Sequence, residues 1–236
     1  MLKVSIIIPA YNEEGTIAQI IERVKAAGLG GLEREIVVVD DASKDRTREI
    51  LKSLPGIKVI LHEKNGGKGA AVKTGFKAAS GDILAIQDAD LEYDPKDIKE
   101  VVRPIAEGRA DAALGSRFVR EKPRYFFGKP KSPFFTHYIG NLLIIYLTNF
   151  LYGYRATDYE GCYKAFSRNV IETISIKADG FEYDNELICK ILRRGWRLAE
   201  VPITYAPRTY EAGKKIKWLD GMRMIWTIVK WRFLPF

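Results

Sequence analysis

Histidine and cysteine are scarce in this sequence, which has two of each among its 236 residues. Cys162 and Cys189 form no C-x-x-C pair and have no histidine at a ligand spacing. We therefore expect buried thiols rather than a zinc site or a disulfide framework. His62 and His137 are the only histidines, and no G-x-S-x-G turn accompanies them. This absence argues against serine hydrolase chemistry and leaves His62 as a turn residue.

Two glycine motifs that bind nucleotide phosphates are also missing. A G-x-x-x-x-G-K-[ST] loop would need Gly at 62 and Ser or Thr at 69, where His62 and Gly69 stand. The turn after the first predicted strand reads Pro9-Ala10-Tyr11-Asn12-Glu13, which is not a G-x-G-x-x-G fingerprint. The segment Asn65-Gly66-Gly67-Lys68-Gly69 can still bring backbone N–H groups and one ammonium near an anion.

No apolar run is long enough to predict a membrane-spanning helix. The most apolar segment, residues 134–154, is interrupted by five residues that break its apolar character: His137, Gly140, Asn141, Thr148 and Asn149. The first ten residues are too short for a signal peptide and lead into a charged, helix-like segment. We therefore expect a cytoplasmic protein that can at most lie on a membrane surface.

Positive charge is concentrated at the C-terminal end. Residues 187–236 hold eleven Lys and Arg against three Asp and Glu, a difference of +8 that equals the net charge of the whole chain. Anionic partners are expected to meet this end, as nucleic acid, phosphorylated small molecules or membrane headgroups. Nucleic acid is ranked last because no recognised nucleic-acid-binding motif accompanies the basic residues.

Short apolar runs alternate with helical periodicity over the first 117 residues. Strands are predicted near 4–8, 36–39, 57–61, 82–87 and 112–115, with helices between them. This alternation predicts an α/β fold, a mostly parallel sheet with helices on both faces. Ligands bind such sheets at the carboxyl ends of the strands, which here carry Pro9–Glu13, Asp40-Asp41, Asp88-Ala89-Asp90 and Gly115-Ser116-Arg117.

The most informative strand end is Asp88-Ala89-Asp90, which follows the apolar run 83–86. In an extended chain alternate side chains share a face, so Asp88 and Asp90 should point the same way, and Glu92 can join them after a turn. Neighbouring carboxylates favour a hard divalent cation such as Mg²⁺ or Mn²⁺. The predicted metal ligands are Asp88, Asp90 and Glu92, and the metal would hold a phosphate.

The pattern changes after residue 117. Residues 120–133 are rich in Lys, Arg, Pro and aromatics, which predicts a mobile loop near the site, and amphipathic helices are predicted over 134–152 and 218–233. On the last helix we expect Arg223, Thr227 and Lys230 to form a narrow polar stripe. The tryptophans at 218, 226 and 231 suit a headgroup boundary, while packing on the domain or a homodimer interface stays open.

Five ordered motifs resemble those of the family 2 glycosyltransferases with the GT-A fold. They are Pro9-Ala10-Tyr11-Asn12-Glu13, Val39-Asp40-Asp41-Ala42-Ser43, Asn65-Gly66-Gly67-Lys68-Gly69, Gln87-Asp88-Ala89-Asp90 and Gly115-Ser116-Arg117. The nearest branch in this resemblance is the dolichol-phosphate mannose synthases and related polyprenyl-phosphate glycosyltransferases. The resemblance implies one GT-A domain with a nucleotide-sugar half at 1–117, an acceptor half at 118–208 and a basic amphipathic segment at 209–236.

The resemblance also implies site residues. Those predicted to hold the nucleotide-sugar are Pro9, Ala10, Tyr11, Glu13, Asp40, Asp41, Lys68 and Asp88. Asp88, Asp90 and Arg117 are the predicted catalytic residues. Those predicted to bind the acceptor phosphate are Arg117, Lys129, Lys131, His137, Arg208 and Lys214. The family's R-x-x-G-x-S-K element resembles residues 208–214, although Glu211 and Gly213 depart from it, so only the Arg and Lys roles carry over.

The predicted activity is inverting transfer of a hexose from a nucleotide-sugar, of the GDP-mannose or UDP-glucose type, to a polyprenyl or dolichyl phosphate. It would take place at the inner face of the cell membrane with Mg²⁺ or Mn²⁺. A sugar-hydroxyl acceptor is the alternative and would need Asp158, Glu160 or Asp184 as a base. A sugar nucleotidyltransferase is a second alternative. Longer members of the branch carry transmembrane helices after the catalytic domain, which this chain is expected to lack.

Overall fold

The computed structural model describes residues 1–119, 135–206 and 218–236, without the side chains of 135–138 and 218. The strands are β1 Lys3–Ala10, β2 Glu33–Asp40, β3 Lys58–Leu61, β4 Ile83–Ile86, β5 Ala112–Ser116, β6 Lys164–Ser167 and β7 Leu198–Pro202. The helices are α1 Ile17–Ala26, α2 Thr47–Ser53, α3 Lys68–Ala78, α4 Ile98–Ala106, α5 Phe135–Tyr152, α6 Arg168–Thr173, α7 Tyr183–Arg193 and α8 Trp218–Phe233. A 3₁₀ turn, Pro95–Asp97, precedes α4.

The seven strands form one sheet in the order β3-β2-β1-β4-β6-β5-β7. β6 runs antiparallel between β4 and β5, and every other neighbouring pair is parallel. From β1 the chain winds outward to β2 and β3 and then returns to place β4 on the other side of β1. The strand order therefore reverses between β1 and β4, and sheets of this kind bind ligands at the carboxyl ends of the strands beside such a reversal.

Burial explains why the central strands read as unbroken apolar runs. All four residues of β4 are buried, as is most of β1, because helices cover both faces of the sheet. Helix α1 packs its buried residues at the spacing that the sequence predicts: Ile17, Ile20, Ile21 and Val24. The sheet and its helices therefore place polar strand ends at one edge of a rigid core.

Helices α5 and α8 pack together, and the Tyr152 hydroxyl donates a hydrogen bond to the Ile228 carbonyl at 2.7 Å. Arg223 on α8 is exposed, but Thr227 is buried, so the predicted polar stripe is interrupted. Trp231 is buried, which agrees with packing on the domain, the alternative that the sequence left open. Contacts with α7 decide which face of α8 turns inward. None of the helices among the described residues is both long and apolar enough to cross a membrane.

Candidate active site

The loops that follow β1 and β2 are joined to each other. Ala10 and Asp40 are neighbours in the sheet, the Asn12 N–H donates to Ser43 Oγ at 2.9 Å, and the Lys44 N–H donates to Asn12 Oδ1 at 2.8 Å. Asn12 adopts a left-handed φ of 51°, which asparagine tolerates better than most residues. The predicted nucleotide-binding stretches 9–13 and 40–41 therefore lie side by side.

Asp40 is buried at the end of β2 with one carboxylate oxygen paired and one unpaired. Its Oδ2 accepts hydrogen bonds from Arg48 Nε at 2.6 Å and from the Ser43 N–H at 3.2 Å. Its Oδ1 is buried and has no hydrogen-bond partner among the described residues. Because an unpaired buried carboxylate oxygen costs free energy, this atom favours a ligand N–H or hydroxyl at this position.

Asp41 holds the glycine loop in place. Its Oδ1 accepts the Gly66 N–H at 2.9 Å and lies 2.7 Å from His62 Nδ1, while its Oδ2 accepts the Gly67 N–H at 2.7 Å. The other ring nitrogen of His62 lies 2.9 Å from Thr74 Oγ1 on α3. Sequence reasoning missed this support role of His62. The signal was its position after β3, which ends at the same sheet edge as β2.

Lys68 and Asp88 form an ion pair at the end of β4, with 2.6 Å between Lys68 Nζ and Asp88 Oδ1. Burial raises the pKa of Asp88, but the charge and hydrogen bond of Lys68, together with a hydrogen bond from Cys162 and the charge of Lys164, hold the pKa below its ordinary value. Burial likewise lowers the pKa of Lys68, but Asp88 and nearby groups raise it well above the ordinary value. Both groups are therefore charged at neutral pH, and the structure brings these two predicted donor-site residues together.

Asp88 and Asp90 are both partly exposed, whereas Ala89 between them is buried, as expected for an extended stretch. Asp90 contacts the turn that follows, because its Oδ1 accepts a hydrogen bond from the Glu92 N–H at 3.0 Å. The described residues contain no group of three His, Cys, Asp or Glu side chains that could hold a metal ion, and Glu92 as a third ligand stays a prediction. The oxygens of Asp88 and Asp90 fit a hard divalent cation that takes its other ligands from phosphate and water.

Arg117, at the end of β5, binds a buried carboxylate. Its Nε and Nη2 donate to the two oxygens of Asp158 at 2.7 and 2.9 Å, and its guanidinium lies 5.2 Å from the ring centroids of Phe118 and Tyr205. Burial raises the pKa of Asp158, but Arg117 outweighs it and lowers that pKa below its ordinary value. Asp158 is therefore the ionised partner of Arg117 and is poorly placed to act as a base.

The other two alternative bases lie beside a buried lysine. Asp184 Oδ2 is 3.1 Å from Lys164 Nζ, and Glu160 Oε1 accepts a hydrogen bond from Asn185 Nδ2 at 2.9 Å. Burial, followed by the charges of Asp184 and Asp158, raises the pKa of Glu160 in spite of opposing contributions from Lys164 and Asn185. A raised pKa suits a proton acceptor, so Glu160 is the better candidate if the acceptor is a hydroxyl.

Several predicted acceptor residues lie outside the described part of the chain. They are Lys129, Lys131, Arg208 and Lys214, together with the side chain of His137. Their predicted role in binding the acceptor phosphate stays a prediction.

Residues 5–175 match the sequence model of the family described as Glycosyl transferase family 2. The chain belongs to this family. It is 35% identical to a dolichol-phosphate mannosyltransferase of Pyrococcus furiosus, covering 98% of this chain and 64% of the relative. It is 34% identical to the low-salt glycan biosynthesis hexosyltransferase Agl6 of Haloferax volcanii, covering 94% and 52%. This chain therefore spans about half to two thirds of these two relatives.

A third relative in the family has nearly the same length. The UDP-N-acetylglucosamine–dolichyl-phosphate N-acetylglucosaminyltransferase of Methanococcus voltae is 29% identical, covering 95% of this chain and 94% of the relative. Among solved structures, glucosyl-3-phosphoglycerate synthase of Mycobacterium tuberculosis with Mn²⁺, UDP and phosphoglyceric acid has a TM-score of 0.75. It is 21% identical and covers 100% of this chain and 80% of its own. The predicted GT-A fold is confirmed.

Proposed function

We propose that this protein is an inverting, metal-dependent glycosyltransferase that moves a hexose from a nucleotide-sugar to a polyprenyl phosphate. The observation that carries the proposal is the ion pair of Lys68 and Asp88, with 2.6 Å between Nζ and Oδ1, at the carboxyl end of β4 and two residues before Asp90. Family membership and two relatives named for dolichol-phosphate or dolichyl-phosphate acceptors support the reaction class. The donor is of the GDP-mannose or UDP-glucose type.

The donor half is residues 1–117. Asp40 Oδ1, the buried unpaired oxygen, accepts a hydrogen bond from the base or ribose beside the stretch Pro9–Glu13. Asp88 and Asp90 would hold Mg²⁺ or Mn²⁺, which would supply positive charge against the leaving nucleoside diphosphate. The ammonium of Lys68 adds a second positive charge at the same place, and Asp41 keeps its loop in position.

The acceptor half is residues 118–208. A phosphate acceptor is already ionised at neutral pH, so it needs cations that orient it rather than a strong base. Arg117 with its aromatic neighbours, and the cations at 129, 131, 208 and 214, are proposed for this task. A hydroxyl acceptor is the second candidate, favoured by the raised pKa of Glu160.

We also propose peripheral contact with the anionic inner leaflet of the cell membrane, where the acceptor's tail resides. Helices α5 and α8 present large apolar side chains to solvent: Ile139, Leu143, Tyr146 and Phe150 on α5, and Leu219, Met222, Trp226 and Phe233 on α8. Arg223 and Arg232 accompany them, within the basic segment 209–236. A homodimer formed through the same apolar side chains is the competing explanation.

The test is a screen of nucleotide-sugars with a short-chain polyprenyl phosphate and, in parallel, a soluble sugar acceptor. We expect metal-dependent glycosyl transfer to the polyprenyl phosphate with one donor, and abolished turnover in Asp90→Ala. Near-full activity of Asp90→Ala with excess metal would contradict the metal assignment. Product from a nucleoside triphosphate and a sugar phosphate, with release of pyrophosphate, would instead identify a nucleotidyltransferase.

A further inference from the structure

Helix α7 contains a buried ion pair that no step of the proposed reaction uses. Glu186 Oε1 and Lys190 Nζ are 2.5 Å apart, and the two side chains are 1% and 0% exposed. Burying two charges costs free energy that well-packed apolar side chains of similar size would not cost. The pair therefore indicates a role other than stabilising α7.

Glu186 fixes the segment that precedes α7. Its Oε1 accepts the Lys177 N–H at 2.9 Å and its Oε2 accepts the Ala178 N–H at 2.7 Å. Lys190 supports the same segment by donating to the Ser175 carbonyl at 2.6 Å. Both ends of residues 175–178 are therefore held by charge-assisted hydrogen bonds, which are the stronger kind.

The residues that follow, 178–180, form the surface on which the glycine loop rests. The Asp179 carbonyl accepts the Ala70 N–H at 3.1 Å. A Cβ at Gly67 would lie 2.5 Å from that carbonyl oxygen, and a Cβ at Gly69 would lie 2.8 Å from the Ala178 carbonyl oxygen. Because backbone packs directly on backbone here, the position of residues 178–180 determines where α3 begins and where Lys68 stands.

The C-terminal turn of α8 covers the other side of the ion pair. Lys190 Nζ lies 3.7 Å from the ring centroid of the buried Trp231, within cation–π range. Arg193 Nη1 donates to the carbonyls of Trp231 and Leu234 at 2.7 and 2.6 Å. The end of α8 is therefore fixed to the same two turns of α7 that carry Glu186 and Lys190.

We propose that Trp231, Lys190 and Glu186 are positioning residues for the donor site. Trp231 holds Lys190, Lys190 orients Glu186, and Glu186 holds the backbone on which the loop of Lys68 rests. None of the three touches substrate. The inference rests on the proposed function in one respect, which is that Lys68 and Asp88 bind the donor's diphosphate.

The test compares Lys190→Met, Trp231→Leu and the conservative Trp231→Phe in the full chain. The probes are UDP and GDP with Mg²⁺, measured by calorimetry, and amide hydrogen exchange of residues 66–72. We expect diphosphate affinity to fall about three- to thirtyfold in Lys190→Met and Trp231→Leu. Exchange at 66–72 should quicken in both, whereas Trp231→Phe, which keeps an aromatic face, should stay within about twofold of wild type for affinity.

Val24→Ala is the matched control, because it truncates a buried side chain in α1, which contains none of the three proposed positioning residues. It should lower the unfolding temperature without changing diphosphate affinity. Asp88→Asn separates the two proposals, since unchanged affinity in that variant would overturn the proposed function itself. If Asp88→Asn loses affinity while Lys190→Met and Trp231→Leu match wild type in affinity and exchange, the positioning inference is overturned. Should Lys190→Met fail to fold, the two Trp231 variants decide.

Discussion

Arg117 and Asp158 lie 41 residues apart in the chain and form two parallel hydrogen bonds of 2.7 and 2.9 Å. The pair joins the end of β5 to the loop before β6, and the two side chains are 11% and 1% exposed. A similar two-bond pair between Arg197 and Asp111 lies at the surface, with Arg197 58% exposed. The chain therefore contains a buried pair and an exposed control of the same chemistry.

Arg117→Met should lower the free energy of unfolding by about 3–5 kcal/mol, because it leaves the Asp158 carboxylate buried without its partner. Arg197→Met should cost about 1 kcal/mol or less, because solvent screens the exposed pair. Urea unfolding of the two variants against wild type measures both values. Equal losses of unfolding free energy in the two variants would show that burial does not increase the contribution of the Arg117–Asp158 pair to stability.

The same pair predicts a pH dependence. Burial raises the pKa of Asp158, but the charge and hydrogen bonds of Arg117, with the Glu160 N–H, hold the pKa below its ordinary value of 3.8. The folded state therefore favours the ionised carboxylate. Its stabilisation is therefore present above that value and is lost as the pH falls through the folded-state pKa. The stability difference between wild type and Asp158→Asn should be constant from about pH 5 to 8 and should shrink only in more acidic solution. A difference that already declines between pH 7 and 5 would contradict the lowered pKa.

Lys68→Met should strengthen Mn²⁺ binding to the nucleotide-free protein about tenfold, because the ammonium no longer neutralises Asp88. Diphosphate affinity should fall in the same variant. Titration of free Mn²⁺ by electron paramagnetic resonance measures the first effect and needs no turnover. Lys77→Met, an exposed position later on α3, is the control. Unchanged Mn²⁺ affinity in Lys68→Met would mean that Lys68 and the cation do not compete for Asp88.

Gly69→Ala should disturb the donor loop, because its Cβ would come within 2.8 Å of both the Ala178 carbonyl oxygen and Tyr183 Cβ. We expect a loss of about 1–3 kcal/mol in stability and weaker diphosphate binding. Gly28→Ala is the matched control, since no atom lies within 4 Å of its Cβ position. Thermal unfolding and diphosphate titration of both variants check this. Wild-type stability and diphosphate affinity in Gly69→Ala would contradict the prediction, because they would show that a Cβ at this position is accommodated without cost.

Trp226→Ser combined with Phe150→Ser should weaken sedimentation with anionic liposomes at low salt, because these side chains are 65% and 84% exposed on α8 and α5. Each lost apolar contact is expected to reduce partitioning about tenfold. Leu2→Ser, an exposed apolar position just before β1 and outside both helices, should sediment like wild type. If wild type and variants all stay in the supernatant, membrane contact through these helices is wrong. Trp231→Ser does not test the contact, because Trp231 is buried.

The sequence alone determined the α/β architecture and the edge of the sheet at which the site lies. Apolar runs and helical periodicity are local properties. They predicted a strand at 82–87, one residue longer at each end than β4 at 83–86, and a helix at 218–233 as the structure has it. Parallel strands joined by helices place their carboxyl ends at one edge, so the sequence predicted that Asp40 and Asp88 lie at the same edge of the sheet.

Only the tertiary structure decided which side chains pair. The antiparallel insertion of β6, the bonds from Asp41 to the glycine loop and the partnership of Arg117 with Asp158 all join segments far apart in the chain. The local pattern also left the role of Trp231 open, because the apolar face of a helix does not reveal whether another helix or solvent will contact it. Those choices depend on packing and charge between elements whose relative positions are fixed only when the whole sheet has formed.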